Sequence, residues 1–205
     1  TTLDGMARHD ADACGGFIAP IWETPPPTWL TERFYGFLAV RIDRTDDHRI
    51  TDTGKTPFGA NMAFRRHVFE QVGLFDTNRG RKGAVLASGE DGDMFERILA
   101  AGLKVMFLGQ SRVHHKVESF RLRKSYFRRW RIQTSKNIAI SRGVQGSRRI
   151  GNVPLYLFPQ LLRALGNAVL ARLAEPRDEA FHREVVLCHF IGTFIGLVKS
   201  RRGRS

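Results

Sequence analysis

The chain has 205 residues, a net charge of +13 and 42% hydrophobic residues, enough for one core with an appendage and too short for two ordinary domains. That composition excludes wholesale disorder, a collagen-like chain and a multi-span membrane protein. Two distant cysteines, Cys14 and Cys188, make no disulfide framework and point to a reducing compartment.

Residues 1–9 read as the end of a helix, and Ala13–Ile21 as a strand with a glycine pair. Thr24-Pro25-Pro26-Pro27 breaks that pattern, and an aromatic patch follows at Trp29, Phe34, Tyr35 and Phe37. Residues 43–56 are polar and read as loop. Phe58–Phe64 reads as a short buried strand, and a helix from about Arg65 to Val72 is stopped by Gly73. Residues 77–89 are glycine-rich and basic, which predicts a mobile loop. A new helix starts at Gly89-Glu90-Asp91, carries Met94, Phe95, Ile98 and Leu99 at helical spacing, and stops at Gly102. Lys104–Leu108 reads as a strand, with the segment to His114-His115 following on the sheet edge. Glycine-punctuated alternation of helix and strand predicts an α/β sheet.

The last 55 residues differ. Leu155, Phe158, Leu161, Leu162, Leu165, Val169 and Leu173 form an apolar stripe, and Gln160, Arg163, Asn167 and Ala171 trace a more polar face. This is the pattern of an amphipathic helix. After Pro176 a second helix is expected, apolar over Val185–Val198, shorter than the roughly 20 residues that span a bilayer. Such a helix lies in a membrane interface or packs in a small core.

The charge is unevenly placed. Residues 1–111 carry 13 basic and 15 acidic side chains, residues 112–149 carry 12 basic and one acidic, residues 150–198 carry four of each, and the tail adds four basic ones. A near-neutral region followed by a concentrated basic block fits a phosphate-bearing partner: a nucleotide, an anionic lipid surface or a nucleic acid. A solvated basic face with no partner is the plainer alternative. No recognised nucleic-acid motif is present, and Tyr126, Phe127 and Trp130 fall at helical positions that pack on protein, so no nucleic-acid partner is expected.

Gly89-Glu90-Asp91-Gly92-Asp93 is the strongest local feature. A carboxylate at a helix start is favoured by the free N–H groups and the helix dipole, and simple capping explains it. A general base at the mouth of a sheet is the functional reading. The surrounding order decides for the second. It runs Gly59-Ala60-Asn61-Met62-Ala63-Phe64-Arg65-Arg66, then Phe69-Glu70-x-Val72-Gly73-x-Phe75-Asp76, Gly89-Glu90-Asp91-x-Asp93, Arg97-x-Leu99-x-Ala101-Gly102 and Val113-x-His115-x-Val117. This succession, from about Ala11 to Ile140, resembles the C-terminal half of a family-2 glycosyltransferase domain of the GT-A type. The block Gly16-x-x-x-Pro20-x-Trp22-Glu23-x-Pro25-Pro26-Pro27-x-Trp29-Leu30 resembles members that prepare bacterial surface polysaccharides.

The resemblance implies a partial GT-A-like mixed sheet with flanking helices over residues 1–140, lacking the N-terminal nucleotide-binding half, and a helical extension over 150–205. It implies an inverting hexosyltransferase-like enzyme that moves sugar from a nucleotide-diphosphate donor to a glycan or lipid-linked acceptor. Asp91 would be the catalytic base, with Glu90 holding the acceptor. Gly59, Ala60, Asn61 and Asp93 would bind substrate. His115, selected over His114 by the V-x-H-x-V frame, would approach the metal or diphosphate. Arg121, Arg128, Arg129 and Trp130 would meet the diphosphate, arginine being suited to bidentate phosphate contacts. Tyr126 replaces the glutamine of the Q-x-x-R-W element of processive relatives, which favours single addition. Mg²⁺ or Mn²⁺ is expected, held mainly by the half not present.

Asp10-Ala11-Asp12 matches the D-x-D metal string but immediately precedes the 13–21 strand, where relatives have a helix-to-strand turn, so it reads as a turn. The chain starts at Thr1 and is expected to be a fragment, inactive alone. Its basic tail helices are expected to hold it peripherally at the cytoplasmic face of the cell membrane, on anionic lipid. The rival reading is a non-enzymatic basic membrane or adaptor module.

Overall fold

A computed structural model describes residues 1–76, 89–146 and 148–200, which fall into two compact units. The first holds residues 1–25, 32–76 and 89–119, and the second holds 26–31 and 120–200. The fold is mixed α/β, as the alternation predicts. The basic glycine-rich loop expected at 77–89 lies, apart from Gly89, outside the described residues.

The first unit contains helix α1 (Thr2–Arg8), strands β1 (Ala13–Trp22), β2 (His48–Ile50) and β3 (Met62–Phe64), helices α2 (Arg66–Val72) and α3 (Glu90–Ala100), and strand β4 (Val105–Val117). The four strands are ordered β2-β4-β1-β3, with β1 and β4 parallel and the outer strands antiparallel to their neighbours. Side chains alternate across the two central strands, as strand geometry requires. Ala13, Val105 and Phe107 join Met94, Phe95 and Ile98 of α3 and Val68 of α2 in one core. Cys14, Met106 and Leu108 point the other way, to Met6 of α1 and to Ala11. Burial pushes the Cys14 thiol up to about 11, so it is an inert core side chain.

Three differences from expectation concern strands. The segment Phe58–Phe64, read as one strand, is strand only over Met62–Phe64, because Phe58–Asn61 closes into a turn. The polar stretch 43–56, read as loop, contains β2 and a single 3₁₀ turn at Thr53–Lys55. Three residues carry no periodic signal, and this strand exists because Val105–Phe107 offers it a ladder and buries Ile50. The strand expected to end at Leu108 runs on to Val117, interrupted by a bulge: Gly16 pairs with Leu108, but Phe17 pairs with Arg112. The extra residues 109–111 arch over β1, and a Cβ on Gly16 would lie 2.2 Å from the Ser111 carbonyl oxygen. Only glycine permits that approach.

The second unit is helical: α4 (Lys124–Arg142), a two-stranded hairpin of β5 (Arg149–Ile150) and β6 (Val153–Pro154), α5 (Leu157–Ala174) and α6 (Arg177–Ser200). Helices α4 and α5 both pack on α6. At one end Trp29 meets Phe127 and Phe181 edge-on, at centroid distances of 5.3 and 4.8 Å. Further along, Gly192 and Gly196 let α6 close on α4, where a Cβ on either would lie 2.4 Å from the carbonyl oxygen of Ile132 or Lys136. Helix α6, with 24 residues, is long and apolar enough to cross a membrane by length and composition. Here Phe181, Val185, Cys188, Gly192 and Leu197 are buried within the unit.

Most of the large side chains in the predicted apolar stripe of α5 are not its packed face. Leu157, Ala164, Ala168 and Ala171 are the buried residues, whereas Phe158, Leu162, Leu165, Val169 and Leu173 are exposed. Ala171, assigned to the polar face, is core. Small side chains bring the helix axes close, and the larger stripe is left to one side.

Candidate active site

The candidate site forms around the turn Phe58–Asn61 in the first unit, closed by the Asn61 N–H donating to the Phe58 carbonyl at 3.0 Å. Asn61 is buried and fixes this turn to the sheet. Its Nδ2 donates to the carbonyls of Phe17 (3.0 Å) and Ser111 (2.8 Å), and its Oδ1 accepts from the Ser111 hydroxyl at 3.2 Å. The amide thus spans the β1–β4 bulge and leaves Gly59 and Ala60 exposed at its outer end.

Gly59 donates its backbone N–H to Oδ2 of Asp91 at 2.7 Å. A Cβ on Gly59 would sit 2.8 Å from that oxygen, so glycine is what allows the carboxylate to reach the main chain. Asp91 lies in the first turn of α3, after Gly89 with φ 133°, a conformation that glycine adopts. Burial holds the Asp91 carboxyl above the ordinary carboxylate range; the Gly59 bond opposes this, and the neighbouring Glu90 charge adds to it. A carboxylate that is half-buried, oriented by one amide and raised in pKa has the properties of a general base. Among the described residues, Glu90 Oε2 is shielded from water without a hydrogen-bond partner. A carboxylate oxygen so placed has acceptor capacity left for a hydroxyl.

The remaining predicted residues are placed differently. Asp93 binds the Arg97 Nε at 3.2 Å, and Arg97 in turn donates to the carbonyls of Val72 and Leu74, clamping α3 to the end of α2. His115 is half-buried on β4 opposite Pro20, three residues beyond Arg112, where the register resumes after the bulge; His114 is exposed. Arg121, Arg128, Arg129 and Trp130 belong to the second unit. Arg121 is buried and donates to the Tyr126 hydroxyl at 3.2 Å. Arg128 grips Glu184 of α6 through two bonds of 2.7 and 3.2 Å. Arg129 is exposed and Trp130 half-buried.

The metal string behaves as a turn. Asp12 accepts from the Lys104 N–H (2.6 Å) and lies 2.9 Å from the His67 Nε2, while Asp10, at φ 45°, pairs with Arg65 at 3.8 Å. Among the described residues no three His, Cys, Asp or Glu side chains converge on a point that would hold a metal ion. The described residues therefore offer no three-ligand site for a divalent cation.

Sequence reasoning missed a cleft of about 260 Å³ beside the turn, lined by Glu32, Tyr35, Gly36, Arg41, Asp43 and Phe58 among others. The Arg41 guanidinium lies 5.2 Å from the Phe58 ring centroid and donates to the Lys55 carbonyl at 3.0 Å. Burial lowers its pKa, and Asp43 opposes the shift. Ala39, at φ 55°, turns the chain so that Arg41 bridges to Ile18. That non-glycine conformation costs on the order of 1 kcal/mol. Tyr35 of the aromatic patch lies in the wall of the cleft, but sequence gives no sign of the φ at Ala39.

Comparison with known proteins bears on this geometry. A glucosyl-dolichyl phosphate glucuronosyltransferase of Haloferax volcanii (strain DS2) is 33% identical over 113 residues, covering 55% of this chain. The chain is a homologue of a glycosyltransferase. It spans about a third of that relative's length, 36%. No family model matches the sequence, and no solved structure matches it.

Proposed function

We propose that this chain supplies the acceptor side of an inverting, family-2, GT-A-type glycosyltransferase with Asp91 as the general base. The observation that carries this is the Asp91 carboxylate fixed by the Gly59 amide at 2.7 Å, with its pKa raised, in a homologue of a glycosyltransferase. The acceptor is a lipid-linked glycan of the kind in the relative's name, and the donor is a nucleotide-diphosphate sugar. The acceptor oxygen forms a bond to the anomeric carbon as the bond from that carbon to the diphosphate breaks. The acceptor proton passes to Asp91. Gly59 occupies Oδ2, which leaves Oδ1 to take that proton, and Glu90 Oε2 holds the acceptor by a second hydroxyl. Asn61 acts as a positioning residue, and Asp93 acts through Arg97 on the seating of α3. Mg²⁺ or Mn²⁺ would neutralise the leaving diphosphate, but the described residues do not fit it and none of these roles depends on it.

Asp91→Asn in the full-length enzyme tests the assignment. Turnover is expected to fall about 10²–10⁴-fold with nucleotide binding retained. Normal turnover overturns it.

A further inference from the structure

Of the large apolar side chains exposed among the described residues, fourteen lie in the second unit and three in the first. They concentrate on α5. Phe158, Leu162, Leu165, Val169 and Leu173 follow one another at intervals of four, three, four and four residues along one stripe, about 22 Å long at the helical rise. Leu162 is 68% exposed and Leu173 84% exposed. The buried face of Leu157 and three alanines packs α5 in the unit; of the stripe, Phe158 touches Phe194 of α6 edge-on at 5.2 Å, while Leu162, Val169 and Leu173 are more than half exposed.

The surrounding charge names the partner. Between Glu118 and Glu175 the sequence contains no Asp or Glu and twelve Lys or Arg. Arg163 is exposed on α5 itself, and Arg148 and Arg149 are exposed at the hairpin before it, where the Arg148 carbonyl accepts from the Leu155 N–H at 2.9 Å. A second copy of such a surface would bring like charge against like, which opposes self-association. Anionic lipid headgroups complement it, while leucine and phenylalanine enter the acyl boundary. We propose that α5 lies in the plane of an anionic membrane with this stripe submerged, its alanine face remaining on α6. The proposal does not rest on the transferase reading, because no residue of the candidate site takes part.

The test is flotation of the full chain with vesicles of equal parts phosphatidylcholine and phosphatidylglycerol. Wild type is expected to float, and the double variant Leu162→Gln/Leu173→Gln to bind about 100-fold more weakly with an unchanged circular dichroism spectrum. Because both side chains are exposed, the variant keeps its fold. High salt should weaken wild-type binding without abolishing it, since only the charge contribution is screened. A second measurement places the helix: an environment-sensitive dye on Leu165→Cys shifts to the blue on adding vesicles, and the same dye on Gln160→Cys, on the other side of α5, does not. Equal response of the two labels overturns the in-plane arrangement. Failure of wild type to float, or floating unaffected by the double variant, overturns the proposal. So does a dimer in lipid-free solution that the double variant dissociates, because the stripe then belongs to a second copy.

Discussion

Two glycine-to-alanine changes in neighbouring helices should have opposite signs. Gly196 sits where α6 meets α4. A Cβ there would lie 2.4 Å from the Lys136 carbonyl oxygen, 2.8 Å from the Ala139 Cβ and 3.1 Å from the Lys136 Cα. Two of these three contacts are backbone, so no rotamer change relieves them and the helices must move apart by roughly an ångström. Overpacking of this kind costs about 1–3 kcal/mol, while alanine's helix propensity returns about 1 kcal/mol at most. With backbone as the obstacle, a net loss of about 1–2 kcal/mol is expected. Gly166 in α5 meets nothing within 4 Å of its would-be Cβ. Gly166→Ala should therefore stabilise by about 0.5–1 kcal/mol. Urea denaturation followed by tryptophan fluorescence reads the difference, because Trp29 and Trp130 both report on the second unit. In thermal melts each kcal/mol should move the midpoint by about 4–8 °C for a unit of this size. If Gly196→Ala stabilises as Gly166→Ala does, the close approach of α4 and α6 is wrong.

Burial holds the Asp91 carboxyl above its ordinary value of 3.8, so the folded chain binds that proton more tightly than the unfolded one. The group's contribution to stability then falls as pH rises from 3.8 through the raised value. Asp91→Asn, whose carbonyl can still accept from Gly59, should raise the urea midpoint at about pH 7 and leave it unchanged near pH 3. Glu184 has the opposite sign: burial alone would raise its pKa, but the hydrogen bonds and charges of Arg128 and Arg172 outweigh burial and lower it. Its contribution is present above the unfolded value of 4.5 and is lost as pH falls through the folded one. Glu184→Gln should cost about 1–2 kcal/mol at neutral pH, less than a fully buried pair because the arginines are partly solvated, with the difference vanishing in acid. In the full-length enzyme, Gly59→Ala should force the Asp91 carboxylate off its amide and lower kcat by about 10-fold or more with KM retained, as steady-state kinetics would show.

The sheet core was legible because its residues announce themselves locally. Met94, Phe95 and Ile98 repeat at helical spacing, and Gly73 and Gly102 adopt the positive φ values, 78° and 75°, that end their helices. The pairing of Gly59 with Asp91 was anticipated only as two separate motifs, since nothing local joins positions 32 residues apart. At Arg128 the sequence shows a basic run, which reads as a phosphate ligand, but not Glu184, which meets it from α6. The same blindness affected α5. Hydrophobicity marks leucine above alanine, whereas the helix contact is decided by how closely two backbones approach. Strand β2 escaped for a third reason: its order comes from a neighbour more than fifty residues away.

The register of β1 on β4 also sets an order of events at synthesis. Ala13 pairs with Val105, so 92 residues must emerge before the central ladder can begin to close. At about 5–20 residues per second that is about 5–20 s, during which the apolar strand Ala13–Trp22 lacks its parallel partner. Within the helical unit α4 meets α6 across about 60 residues, as Ile132 against Gly192, so its helix pair closes over a shorter span than the central ladder. The sheet, made first, is thus expected to be the slower and more aggregation-exposed part of the nascent chain, and its dependence on chaperones should exceed that of the helical unit.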